Sequence, residues 1–224
     1  FLIAVLVAKA SAEKDTQDTD AEPEVTTDPE PDSAYRFAWM ILPVMTLSGV
    51  CTFVYEVLWT RLLSHILGGS VAAFAIMLAS FLSGIALGSI VASRFARTRS
   101  GAAIAFVISQ LGIAATSMLI YYALNQYLHD DIDYQASVIA AFAVLMPATL
   151  FIGATFPLAV RVYAVSAAGA ARSSARVYAW NTFGAILGAA IAGFFLVPML
   201  KYEGAIHVMV LLNVTLAMIV AGVM

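Results

Sequence analysis

Residues 70–93, SVAAFAIMLASFLSGIALGSIVAS, hold no charged side chain, and their reading decides the fold class. A helix crossing the hydrocarbon core of a bilayer needs roughly 20 apolar residues, which this stretch supplies. Comparable runs lie at 37–65, 101–124, 136–161, 174–199 and 205–224. The pattern predicts an all-α fold, a polytopic transmembrane bundle of about six helices. Composition agrees: 62% of the 224 residues are hydrophobic and 11% charged, with a mean hydropathy of +0.92. A soluble domain carries about 45–50% apolar and 25% charged residues, so the lipid bilayer is the expected surrounding. The first and fourth runs exceed the minimum span, which predicts tilt or bending. Pro43, Pro147 and Pro157 are first-turn or kink positions.

The N-terminal part has a different character. Residues 10–35 carry nine acids against one base, Lys14, with three prolines among Ser and Thr. Such a segment cannot bury enough apolar surface to offset its ordering entropy, so it reads as a solvated linker or an acidic docking tail. The opening FLIAVLV is too short to span and reads as the tail of another membrane helix. The expected organisation is the end of a preceding transmembrane helix at 1–9, an acidic cytoplasmic linker at 10–36, and a six-helix transmembrane domain at 37–224.

Orientation follows from the short loops. Arg94, Arg97 and Arg99 follow the second run, and Arg161, Arg172 and Arg176 flank the loop after the fourth. The loop after the third run holds Asp130, Asp131 and Asp133, and Lys201 in the last loop is offset by Glu203. Bases concentrate in cytoplasmic loops, which puts the arginine side, the linker and the C-terminal end in the cytoplasm.

Within the runs, Gly84 and Gly88 form a GxxxG pair, and Gly184, Gly188 and Ala192 repeat the four-residue spacing with Gly193 beside them. Small residues at this spacing let backbones approach closely in lipid, so Gly84, Gly88, Gly184 and Gly188 are expected at helix contacts; lining a substrate path is the other reading.

Two polar clusters are candidate sites. In VYEVLWTRLL the group is Tyr55, Glu56, Trp59 and Arg61. A carboxylate at membrane depth is costly unless paired, protonated or hydrated. Glu56 lies about 28 Å along the run from Phe37, near the outer boundary. Arg61 is about 140° further round the helix, with Trp59 expected as an interfacial aromatic. Glu56 and Arg61 either pair with other helices and fix the bundle, or Glu56 forms a cation or proton site. The second cluster, on the cytoplasmic side, comprises Thr155, Pro157, Arg161, Arg176, Tyr178 and Asn181. Asn181 can hydrogen-bond across a helix interface to carbonyls that Pro157 frees, either as glue between helices or as a gate or docking surface.

Other chemistries find no support. His65, His129 and His207 are scattered without ligand spacing, and the lone Cys51 excludes an internal disulfide, so no metal is expected. No glycine-rich strand-to-helix turn is present for a nucleotide, and no cofactor is expected in this chain. The few basic loop residues follow from membrane orientation and do not suggest nucleic acid.

SGVCTFVYEVLWTRLLSHILGGSVAAFAIMLASFLSGIALGS, MPATLFIGATFPLAVRVY and RVYAWNTFGAILGAAIAGFFLVPML, in this order, resemble the membrane part of fused membrane-bound spermidine synthase-like proteins. These are bacterial polypeptides that join a transmembrane domain to a polyamine aminopropyltransferase-like domain. The resemblance covers residues 37–224. It implies the bacterial inner membrane, a soluble domain following the helices, and a pair of six-helix halves akin to major facilitator transporters. GSIVASRFARTRS resembles the basic loop those transporters place after their second helix, but lacks its acidic residue and second glycine.

The resemblance therefore implies the membrane domain of a spermidine synthase-like fusion, anchoring an aminopropyltransferase-like domain and handling a polyamine or other cation. No catalytic residue falls within this chain; enzymatic activity would belong to the attached domain. The alternative is a non-catalytic structural or interaction subunit of a larger membrane complex, with other membrane helices as partners.

Overall fold

The computed structural model describes residues 38–67, 70–127, 134–164 and 169–223. The chain divides into two units, 1–32 and 33–224, and the described residues all belong to the second. The expected helix end at 1–9, the acidic linker, His129 and the aspartates of the third loop lie outside the described residues.

The described residues are helical throughout and include no strand. A short 3-10 turn, Ala38–Met40, leads into α1 (Ile41–Leu67), followed by α2 (Val71–Phe95), α3 (Arg99–Tyr127), α4 (Tyr134–Tyr163), α5 (Ala170–Ile191) and α6 (Val197–Val223). Pro43 occupies the first turn of α1, where its missing N–H has no helical partner to lose. Pro147 and Pro157 lie inside α4. Ser70 caps α2, its hydroxyl accepting from the Ala73 N–H at 3.1 Å.

Among the described residues, five helices are long and apolar enough to span a membrane, against the expected six or so. The difference lies at the end of the chain. The runs expected at 174–199 and 205–224 are joined: a five-residue π-helical segment, Ala192–Leu196, carries α5 straight into α6, making one apolar stretch, Ala170–Val223, of 54 residues. A straight helix of that length would measure about 81 Å. It is not straight, because Lys201 has φ 57° and ψ −169°, far outside helical values. The two arms then run in opposite directions along α1. Ascending α5 places Val177 in one core cluster with Ile41, and Gly188 against Val50. Descending α6 places Asn213 at Tyr55, and Leu216 and Val220 back in the cluster with Ile41 and Met45.

Two helix pairs dominate the packing, α1 with α5 and α2 with α4. Both are parallel and both are built on glycines. A methyl group at Gly188 would sit 2.6 Å from the Val50 carbonyl oxygen, and one at Gly184 would collide with the Thr46 carbonyl. In the other pair, a methyl at Gly84 would strike Thr149 and one at Gly88 the Leu150 carbonyl. The two pairs resemble each other, although the contact residues are not all equivalent in position. Gly49 of α1 meets the Ala185 backbone, and Gly153 of α4 meets Ile85. The sequence repeats with them: a proline six residues before a glycine (Pro43, Gly49; Pro147, Gly153), then a Gly-Gly-Ala stripe (Gly84, Gly88, Ala92; Gly184, Gly188, Ala192). The described helices thus form two three-helix repeats, and the second is inverted, since α4 runs parallel to α2 and antiparallel to α1.

Gly193 offers the contrast, with open space within 4 Å of where its side chain would be. Gly184→Ala is expected to lower the thermal midpoint of the detergent-solubilised chain through an overpacking cost of about 1–3 kcal/mol. Gly193→Ala should leave the midpoint unchanged or slightly raised. Equal midpoints for the two variants would show that the α1–α5 contact is looser than described.

Candidate functional site

The first polar cluster separates into two environments on adjacent faces of α1. Tyr55 points into the bundle and is fully buried; its hydroxyl accepts a hydrogen bond from Asn213 Nδ2 of α6 at 3.2 Å. Ser117 of α3 faces the same hydroxyl without closing a hydrogen bond of standard geometry. Two turns lower, Gln110 of α3 donates from Nε2 to Ser48 Oγ of α1 at 3.0 Å. Ser48 and Tyr55 are seven residues apart, as are Gln110 and Ser117, so each pair shares a helix face. The result is a buried polar seam between α1, α3 and α6 in two layers. It retains unpartnered oxygens on Gln110, Ser117 and Asn213.

The sequence reading missed Ser48, Gln110, Ser117 and Asn213. The available signal was the carboxamides themselves: Gln110 and Asn213 each precede, by three and four positions, an aliphatic residue and an alanine (Ile113, Ala114; Leu216, Ala217), which marks them as equivalent places in the two units.

Glu56 lies on a different face. It is half-buried and, among the described residues, has neither an ion pair nor a hydrogen bond. It lines a small cleft open to its surroundings, with Trp59, Thr60 and Leu63 of α1, Phe74, Met77, Leu78 and Phe81 of α2, and Leu145 of α4. Trp59 differs from the expectation of an interfacial aromatic: it is buried and stacked on Tyr55 with ring centroids 5.2 Å apart, and its indole N–H has no partner. The i, i+4 spacing from Tyr55 carries it inward. Arg61 is exposed and lies near Tyr202 of α6, so Glu56 and Arg61 form no pair with each other. The cleft sits toward the end of α1 remote from Arg94, Arg97, Arg99, Arg161, Arg172 and Arg176, between the end of α1 and the start of α2, with Leu63 and Phe74 in its two walls.

The second cluster lies at the opposite end of the bundle and is a set of clasps. Arg161 donates to the Arg97 carbonyl at 3.0 Å, fastening the end of α4 to the turn between α2 and α3. Arg176 donates to the Tyr163 hydroxyl at 3.1 Å, and Tyr178 meets Phe156 edge to face, joining α4 to α5. Thr155 is buried and donates to the Ile152 carbonyl in its own helix. Pro157 lacks the N–H that would bond the Gly153 carbonyl, and the Ser89 hydroxyl of α2 takes its place at 2.8 Å. Asn181 was the expected partner for a carbonyl freed in this way; instead, its own backbone carbonyl abuts Gly49. Each described contact of the cluster joins helix to helix or helix to turn, as the glue reading expects.

The chain matches no family model, no curated protein and no solved structure.

Replacing Asn213 with Leu removes the Tyr55 hydroxyl's described partner and one of the unpartnered buried oxygens. Interhelical hydrogen bonds in membrane proteins contribute about 0.6 kcal/mol on average and up to about 1.7 kcal/mol. Asn213→Leu should therefore lower unfolding free energy in detergent by about 1 kcal/mol. A variant as stable as the parent would mean that the Asn213–Tyr55 bond contributes nothing net to folding.

Proposed function

We propose that this chain is the membrane domain of a spermidine synthase-like fusion protein, located in the bacterial inner membrane, and that it binds a cationic solute at Glu56. The observation that carries the binding role is the state of that carboxylate: half-buried, unpaired among the described residues, and lining an open cleft. An intramembrane acid without a protein partner marks a ligand or ion path more often than a structural pin, because a structural acid is normally paired. The aromatic walls suit a cation as well, since the faces of Trp and Phe attract positive charge.

The proposed topology has six crossings. The break at Lys201, inside α6, divides the stretch Ala170–Val223 into two antiparallel arms, each long enough to cross alone. Arg94, Arg97, Arg99, Arg161, Arg172 and Arg176 share one end of the bundle, which the positive-inside rule assigns to the cytoplasm, placing the mouth of the Glu56 cleft toward the outer side. Anchoring of an aminopropyltransferase-like domain on the cytoplasmic side rests on the resemblance alone.

Two experiments test this reading. With Cys51→Ala as background, Glu203→Cys should react with an impermeant maleimide added to intact cells, and Thr98→Cys only after permeabilisation. Labelling of both from one side would overturn the six-crossing topology. In proteoliposomes loaded to follow spermidine and 2-phenylethylammonium entry, Glu56→Gln should cut uptake of whichever cation the parent carries by at least tenfold. Unchanged uptake by a variant that elutes and melts like the parent would remove Glu56 from the path.

A further inference from the structure

The walls of the Glu56 cleft say which cations fit. The lining offers one carboxylate, one hydroxyl on Thr60 and one indole, and the remaining residues, Leu63, Phe74, Met77, Leu78, Phe81 and Leu145, are wholly apolar. We propose that the cleft takes an organic monocation with an apolar body, a single ammonium group carried on an aromatic or alkyl frame, in preference to a polyamine. This inference rests on the reading of Glu56 as a cation site.

The preference follows from charge counting. One ammonium paired with Glu56 leaves the carboxylate neutralised, and the rest of the ligand must lie on hydrocarbon. A phenyl or alkyl body gains from that contact at roughly 25 cal/mol per Å² buried. The second and third ammonium groups of a linear triamine would instead face Leu and Phe side chains with no anion to pair with, and an unpaired charge in such surroundings is strongly penalised. The wall also reaches the bundle surface: Phe74 and Leu78 of α2 are 53% and 39% exposed, continuous along one face with the exposed Val71 and Leu82. On a membrane-embedded bundle this face meets lipid tails, so the cleft is open to a ligand that partitions into the bilayer. That chemistry has two sources, a free amphipathic amine and the ammonium of an ethanolamine lipid headgroup.

The test is equilibrium dialysis of radiolabelled 2-phenylethylammonium against the full chain in maltoside micelles, with competitors. Saturable binding displaced at least tenfold less effectively by spermidine than by unlabelled 2-phenylethylammonium is the expected result. Displacement by lysophosphatidylethanolamine at lower concentration than the free amine would identify the lipid headgroup as the source; weaker displacement would identify a free amine. Glu56→Gln should weaken binding at least tenfold, and Phe74→Ala, which leaves the carboxylate in place, several-fold. Spermidine competing as well as or better than the monoamine would overturn the preference while leaving Glu56 as a cation site. The absence of saturable binding by any of the three would overturn both. The competition arm uses the unaltered chain, so it stands even where a variant fails to fold.

Discussion

The closest approach of backbone to backbone, at the glycines of α1–α5 and α2–α4, is the constraint from which the other features follow. Lipid tails are as apolar as leucine, so helices in a bilayer gain little from burying hydrophobic surface against each other and depend on tight packing instead. Where Gly184 and Gly188 meet Thr46 and Val50, or Gly84 and Gly88 meet Thr149 and Leu150, any side chain larger than hydrogen would push the helices apart. These contacts commit α2 to α4 and α1 to α5. The sequential neighbours α1 and α2, which a simple hairpin would zip together, are consequently held apart near their connection. The Glu56 cleft occupies the space this leaves, with α2 and Leu145 of α4 forming its far wall.

Much of this was legible from residue type alone, and the misses have specific causes. Apolar length located the first four helices to within a few residues, because hydrocarbon thickness sets a hard minimum on a run. The joining of the last two runs was not legible. Lys201 and Glu203 look like an ordinary loop, whereas the π-helical segment before them and one non-helical residue suffice to turn the chain. Glycine spacing indicated contact faces but not partners, since spacing within one helix says nothing of which helix faces it. Trp59 could have lain at an interface or in the core; its burial and its stacking on Tyr55 decide, and residue type alone carries neither. The bond from Ser89 to the carbonyl orphaned by Pro157 joins residues 64 apart in sequence, and no local pattern announces it.

The internal repeat sharpens the distinction between scaffold and site. Features required by packing recur in both units: the proline-glycine pair, the Gly-Gly-Ala stripe, and the buried carboxamide at Gln110 and Asn213. Glu56 does not recur. Carrying α1 onto α4 by the register that aligns Gly49 with Gly153 sets Val160 where Glu56 stands and Tyr163 where Trp59 stands. Carrying α2 onto α5 by the register of the glycine stripes sets Asn181 where Phe81 stands. The second unit therefore builds the equivalent corner without an acid, and fills it with the Arg176–Tyr163 clasp. A carboxylate needed only to hold three helices together would be expected in both copies, because both copies pair equivalent helices through their glycines. Its presence in one, unpaired among the described residues and beside an open cleft, separates it from the packing requirement. The fold repeats and the charge does not, and for that reason the ligand is sought at Glu56 and not at the arginine end.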